Sequence, residues 1–536
     1  MWCGNFRSLS CPGLNMAAVV TPVPSSLVLS VSKRTCALAT KISRGLLRFY
    51  VTQTEGDASR DSPESVKVKV PEGKPFSEIP CVDSIPIIGL IRFAVKYRGR
   101  FHESHEANRE MYGPIWRVKD PGVDLVFTAH PQGMKDLLRY EGKHPNRVPI
   151  GLWLDAYQKL GKPRGLLQAL GEEWQRLRKT VDKPILRPNL ISGHVSGMHD
   201  VAADLVDRLT ALREEDGEVK DVDQELFKWA LESACLVLYD RRLGCLSSHP
   251  QPSSLTFIKA VQEMFRLTGE LVFYPPALGK LIRPRAWKAF RDNMDVLFRY
   301  AEEEITHRLS ETDSLNPSSF IGHILSRDSL TPDELVSTVT EIMSASVDTT
   351  SNSVHALLWE VARRPDVQDK MYDEISSVLP HGTEVTYQRL EKLAYTMGVI
   401  KEVTRLYPVG FVSARMLEEG AVVCGYQIPQ GTQVYVSHYA LGRNPEVFEN
   451  PTELCPERWI RNSGVKPPDP FSYVPFGLGQ RSCVGRRIAV SEMQLLCVEL
   501  LQRFRLSTTT RELKLVSRAV LVPSEPIQLT LTPRSS

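Results

Sequence analysis

No aspartate or glutamate stands before Glu55 in this chain of 536 residues, although the first 54 carry Arg7, Lys33, Arg34, Lys41, Arg44 and Arg48. The formal charge of +3 therefore belongs to the leader. Without those six cations the remainder holds 60 basic against 63 acidic residues, net −3, so no nucleic-acid partner is implied. An acid-free, Arg- and Ser-bearing N-terminus has the composition of a mitochondrial transit peptide. Long apolar runs are missing as well: the best, residues 16–31, is broken by Pro22 and Pro24. A spanning helix needs roughly 20 apolar residues, so no transmembrane anchor is expected. Ten cysteines are scattered with no Cys-x-x-Cys and no regular spacing, which argues against a disulfide framework or a zinc cluster and for a reducing compartment. A dinucleotide-binding glycine fingerprint is absent, so the chain does not itself draw hydride from a nicotinamide. There is no internal repeat.

What the chain does have is one cysteine in an unusual loop. Residues 476–485 read Phe-Gly-Leu-Gly-Gln-Arg-Ser-Cys-Val-Gly. Gly477, Gly479 and Gly485 let the backbone turn tightly and approach a flat ligand closely. Arg481, two residues before Cys483, can hold the sulfur in an electropositive setting or fork onto a carboxylate, which favours thiolate over thiol. From Arg486 onward Ile488, Val490, Met493, Leu495 and Leu496 give a helix-like apolar pattern. The cysteine therefore stands just ahead of a helix N-terminus, where amide dipoles favour negative charge. For an isolated cysteine, a buried thiol in a glycine-rich turn is the plainer reading. A lone thiolate needs a metal.

Residues 51–80 form a polar, proline-containing linker, and 87–97 mix apolar and basic residues in a way that suits either a membrane surface without crossing it or a helix packed on its own domain. Residues 116–118 and 123–128 read as a hairpin about Pro121-Gly122. A helical pattern beginning at Leu166 sets Trp174 and Arg178 four apart on one face. Further helices are expected over 201–212, 227–239, 255–267 and 287–309. Thr331-Pro332-Asp333-Glu334 has the form of a capping box and opens a pattern that runs to Arg364, roughly 50 Å at 1.5 Å per residue. In its middle, Asp348-Thr349 sets acid and alcohol side by side in an apolar stretch. Glu402 and Arg405 share a helix face, commonly a solvated bridge of little worth. Residues 422–424, 426–429 and 433–436 read as short strands turning at Gly425 and Gly431, with Arg415 just ahead of them.

Phe-x-x-Gly-x-Arg-x-Cys-x-Gly is far more restrictive than a single cysteine, and it resembles the haem-binding loop of the cytochrome P-450 family. The likeness extends from about residue 80 to the C-terminus. It implies a mainly α fold with small β-sheets and one haem-enclosing domain over 81–536. It also implies haem b (iron protoporphyrin IX) with Cys483 as axial ligand, a thiolate that favours O–O cleavage. Phe476 and Gly485 would line the cofactor within the same loop, and Trp174, Arg178, Arg415 and Arg481 would answer the two haem carboxylates. Thr349 would hydrogen-bond dioxygen and Asp348 would relay protons. Without the resemblance, a threonine bonding back to its own helix and an aspartate on a wet face would be preferred. The family usually has Gly where this chain has Ser346. Glu402 and Arg405 would lock with Arg458 of Pro456-Glu457-Arg458-Trp459, a brace behind the cysteine loop.

Ile85-Pro86-Ile87-Ile88-Gly89 is similar to the family's proline-rich opening segment. Arg48-Phe49-Tyr50 is similar to a matrix-protease site, which assigns 1–50 to the transit peptide. Together with the missing anchor this implies the mitochondrial branch, peripheral on the matrix side of the inner membrane. Electrons would come from a mitochondrial ferredoxin, served by an NADPH-dependent reductase and docking on Lys401, Arg486 and Arg487. The lysine expected one turn before Lys401 is Met397. Tyr407-Pro408-Val409-Gly410 and the segments 227–244 and 441–445 look most like mitochondrial steroid and secosteroid hydroxylases, which implies monooxygenation of a large apolar lipid. Two other readings stand beside this one. A haem-thiolate isomerase or dehydratase is disfavoured by Asp348-Thr349, and a catalytically silent haem or lipid carrier is kept in view by Ser346 and Met397.

Overall fold

The computed structural model describes residues 72–534 apart from 83–95, 98, 121–122, 187, 273, 275, 311–318 and 326–328. The transit peptide, most of the linker, the proline-rich segment, the tip of the first hairpin and nearly all of 87–97 lie outside the described residues.

Helices make up most of the fold, and proline opens several of them: Pro188–Leu212, Pro252–Leu271, Pro284–Ser310, Pro332–Ala362 and Pro365–Val378. Proline costs nothing in the first turn, where its missing N–H would have no intrahelical partner and its fixed φ suits the helix. The Pro332–Ala362 helix starts with the expected capping box: Glu334 N donates to Thr331 Oγ1 at 3.3 Å, and Thr331 N donates to Glu334 Oε2 at 3.0 Å. From Leu335 to Ala362 nearly every residue is buried, so this helix is the axis of the core. Val222–Tyr239 packs along it, itself buried on almost all sides.

A five-stranded sheet stands beside the helices, in the order Cys81–Val82, Ile115–Asp120, Val123–Thr128, Gln433–Ser437, Val412–Met416. The expected hairpin is in register, with Trp116 opposite Phe127 and their rings stacked at 5.8 Å. Arg415 lies within a strand rather than ahead of one, paired opposite Val434. Ala421–Val423 and Tyr426–Ile428 form the smaller antiparallel pair that the turn at Gly425 predicts. The C-terminal strands Phe504–Thr508 and Leu529–Pro533, with Glu218–Val219, form a further sheet that the sequence pattern had left unread.

One helix begins later than its apolar pattern. The segment from Leu166 is helix-like in composition, yet the helix is Gly171–Ile185. Polar partners hold the intervening stretch as a loop: Leu167 N donates to the buried Glu341 carboxylate at 2.5 Å, and Ala169 O accepts from Arg481 Nη2 at 2.9 Å. Gly165 lies against Glu341 so closely that a Cβ there would fall 2.5 Å from Oε2.

Candidate functional site

The cysteine loop closes on itself. Cys483 N donates to Phe476 O at 2.8 Å, Ser482 N to Gly479 O at 3.1 Å and Gly477 N to Val474 O at 2.9 Å. Gly477 and Gly479 have φ of 68° and 73°, the left-handed region that favours glycine. A Cβ on Gly479 would also strike Glu141 and Leu138. Gly485 is a different case. It caps the Arg486–Arg503 helix at φ −84°, which any residue adopts, and a Cβ there would meet nothing within 4 Å. Its missing side chain leaves open space at the start of the helix.

Cys483 is ringed by the chain and still presents an exposed face. Burial pushes its thiol above the usual range, opposed by the Gly485 N–H and by Arg178, Arg147 and Arg486. Burial raises the thiol more than Arg178, Arg147 and Arg486 lower it, while the Arg481 side chain turns to other partners. Metal ligation at the sulfur would release the thiol proton to solvent.

Arg481 belongs instead to a guanidinium cluster. It is buried, donates through Nε to Pro145 O (2.8 Å) and through Nη2 to Ala169 O (2.9 Å), and lies 3.9 Å over the Trp174 ring. Its Nη1 has no partner. Arg178 donates to Ser482 O at 2.7 Å and pairs with Asp182 at 2.6 Å. Arg147, which sequence reasoning missed, donates to Arg481 O at 2.7 Å. Arg415 pairs with Glu141 at 2.7 Å and reaches Leu478 O at 3.3 Å. Desolvation, then Arg147, Arg415 and Arg178, push the Arg481 guanidinium down to about 8, and desolvation first and Arg415 next bring Arg147 to about 10. Four packed cations share the carboxylates of Glu141, Asp182 and Glu341, the last raised to about 7 by burial, and are short of negative charge. A ligand with two carboxylates fits that deficit.

On the long helix, the residues between Leu335 and Ala362 that are not buried are Ile342, Ala345, Ser346, Thr349 and Ser353. Ile342, Ala345, Thr349 and Ser353 recur at three or four residues, with Ser346 beside them, which puts all five on one open face of an otherwise enclosed helix. Thr349 Oγ1 donates to Ala345 O at 2.7 Å, and Ser346 Oγ to Met343 O at 2.9 Å. Each hydroxyl spends its proton on its own helix and keeps lone pairs for an incoming group. Asp348 is buried at 3% exposure with Oδ2 unpartnered, and desolvation, opposed by Arg518, raises its carboxyl to about 7. It sits behind the open face, not on a wet one.

Glu402, on the Ala394–Leu406 helix, is wholly buried and collects the expected partners. Arg405 binds it at 2.8 and 2.7 Å through Nε and Nη2, and Arg458 Nε approaches to 3.5 Å. Cys455 N (2.8 Å) and Trp459 Nε1 (2.9 Å) complete the set. Arg405 also donates to Gly442 O, Pro451 O and Glu453 O, tying helix to downstream loop. Lys401 is half-buried, its ammonium 5.3 Å over the Trp459 ring and lowered in pKa by burial and by Arg486. Arg486 and Arg487 are exposed, the first 5.6 Å over Phe476 and the second donating to Leu186 O.

Residues 79–531 match the family model described as cytochrome P-450. The chain is 31% identical to the mitochondrial 1,25-dihydroxyvitamin D(3) 24-hydroxylase of Mus musculus, covering 86% of this chain and 90% of that one. It is 33% identical to the mitochondrial sterol 26-hydroxylase of Rattus norvegicus, over 83% and 87%. It is 35% identical to the mitochondrial 25-hydroxyvitamin D-1 alpha hydroxylase of Mus musculus, over 86% and 93%. With a match this long and a cysteine loop of this form, the chain belongs to the cytochrome P-450 family of haem b monooxygenases.

Proposed function

We propose that this protein is a mitochondrial hydroxylase of a large apolar lipid of the sterol, steroid or secosteroid class, driven by a ferredoxin. The observation that carries the reading is the meeting of Cys483 with the anion-seeking Arg147, Arg178, Arg415 and Arg481 at one helix N-terminus. The names of the similar hydroxylases support the substrate class and the compartment. Haem b, when bound, would supply the chemistry that activates dioxygen, one atom entering a C–H bond and the other leaving as water with two donor electrons and two protons.

The chain's own residues do the rest. Cys483 offers the sulfur ligand, and Gly485 leaves space for the ring beside it. Arg147, Arg178, Arg415 and Arg481 bind carboxylates, and the Trp174 ring packs against the Arg481 guanidinium. Glu402, Arg405 and Arg458 brace the segment behind the loop. Asp348 holds a proton near neutrality and Thr349 orients it at the open face. Lys401, Arg486 and Arg487 form the donor's docking face, with Met397 lessening its charge. Residues 1–50 direct the chain to the matrix and 51–80 link it to the domain, which rests on the inner membrane.

The test is turnover of a sterol panel with ferredoxin, its reductase and NADPH, alongside the reduced carbon monoxide spectrum. Wild type is expected to consume reductant in step with hydroxylated product and to show the red-shifted thiolate band, and Cys483→Ala is expected to lose both. Product without reductant would make the protein an isomerase or dehydratase, and a thiolate band without product a carrier.

A further inference from the structure

The long helix carries a second polar feature, turned away from its open face. Ser337, Glu341, Ser344, Asp348, Ser351 and His355 follow at intervals of four and three residues, which sets them in one line along an α-helix. All are buried. Glu341 is fully engaged, accepting from Tyr157 Oη at 2.6 Å and Leu167 N at 2.5 Å, with Arg147 nearby. Other members are less well served: Ser337 Oγ, Ser344 Oγ, Asp348 Oδ2 and His355 Nε2 are each buried without a hydrogen-bond partner. Buried polar atoms are almost always served by protein or by ordered water, so four orphans in one line call for an explanation.

The other ring nitrogen of His355 points outward. Nδ1 lies 2.9 Å from Oδ1 of Asp223, an ion-pair contact short of hydrogen-bond geometry, and the Asp223 side chain is 22% exposed in the first turn of Val222–Tyr239. Between His355 and Asp348 stands Ser351, whose Oγ donates to Val347 O and Asp348 O and keeps its lone pairs. The charged group that faces Asp348 is Arg518, on the hairpin between Leu515–Ser517 and Leu521–Pro523.

We infer that the Asp223–His355 pair is the solvent end of a proton path running along this helix face to Asp348. The inference rests on the reading of Asp348 as the acid beside Thr349. A proton taken from solvent by the Asp223 carboxylate passes to Nδ1 of His355, and Nε2 releases one toward Ser351 and Asp348. The imidazole ends neutral with its tautomer reversed, and a half-turn of the ring restores it. Seven residues span about 10 Å of helix, so hydroxyls and ordered water carry the middle of the path.

A protonated Asp348 gives an infrared carboxyl band that Asp348→Asn removes. At pH 6, below its raised pKa of about 7, the rate at which that band shifts when ferric holoprotein is mixed with deuterium oxide reads proton access without turnover. His355→Gln and Asp223→Asn are each expected to slow the shift about a hundredfold or more, the lower end of what a positioned proton-transfer group contributes. Both should leave the carbon monoxide spectrum unchanged, and Asp223→Glu should restore the exchange. Under turnover, the two slow variants should show a larger solvent isotope effect and lose more reductant to peroxide. Unchanged exchange in both overturns the inference, as does the lack of any Asp348-dependent band. So does slowing by Arg518→Met alone, which would place entry at the C-terminal hairpin. Exchange that depends on His355 in a protein that oxidises no lipid would keep the path and overturn the function proposed above.

Discussion

At the scale of single residues, the site divides into groups that spacing announces and groups that only the fold assembles. Cys483 could be read because its loop fixes glycine, arginine and cysteine at set intervals, and Glu402, Arg405 and Arg458 because each lies in a short recognisable string. Arg147 could not. It stands in a polar loop with no motif, and its meaning comes from donating to Arg481 O at 2.7 Å. Truncating it tests whether the cluster grips an anion. Arg147→Ala should weaken haem retention by about 1.5–3 kcal/mol, the value of a hydrogen bond to a charged group, or at least tenfold. The measurement is haem transfer to a scavenging apoprotein. Equal transfer rates in variant and wild type would remove Arg147 from the site. Arg481 sits two positions from the sulfur in sequence, yet its side chain turns to Pro145, Ala169 and Trp174, a placement that spacing does not announce.

At the scale of elements, helix starts were legible where a local signal sets them and illegible where a distant partner does. The capping box at Thr331 needs four consecutive residues and nothing else. The late start at Gly171 depends on Glu341, 174 positions from the Leu167 N–H it accepts. The brace is an element-scale device of the second kind, since Arg405 joins the Ala394–Leu406 helix to carbonyls at 442, 451 and 453. Glu402 neutralises two buried guanidiniums there, at 1% and 6% side-chain exposure. Removing its charge leaves both without a counterion, and breaking a buried pair from one side typically costs about 3–5 kcal/mol. Glu402→Gln should lower holoprotein stability by that amount in denaturant titration, with Trp459 fluorescence changing as its Nε1 partner is altered. A loss under about 1 kcal/mol, the range of a solvated bridge, would mean the triad is not a brace.

At the scale of the whole molecule, the count of bound protons links parts of the fold that never touch. His102, His105 and His438 lie where the Phe101–Tyr112 helix meets the sheet and the C-terminal hairpin, hydrogen-bonded to Ser517, Ser437 and Ser413. Desolvation lowers them to about 3, 4 and 4, so the folded state refuses protons that the unfolded chain accepts below about 6.5. Their contribution to stability is full above that pH and is lost as pH falls. Glu492, in the cysteine-loop helix and hydrogen-bonded by Ser233, behaves in the opposite sense, because desolvation raises it to about 7. Its contribution is present below the unfolded value of about 4.5 and is lost as pH rises through 7. Between those limits the carboxyl takes up a proton on folding while the histidines give protons up, so the two groups pull the stability curve in opposite directions. Glu492→Gln keeps an acceptor for Ser233 and removes the titration. Comparing the variant with wild type cancels every other group, histidines included. Relative to wild type, the variant should gain about 3 kcal/mol between pH 4.5 and pH 8, from 1.36 kcal/mol per unit over roughly 2.5 units. Denaturant midpoints at the two pH values read this directly. A difference that does not change with pH would mean that Glu492 is ionised in the folded protein, its charge balanced by a partner other than Ser233.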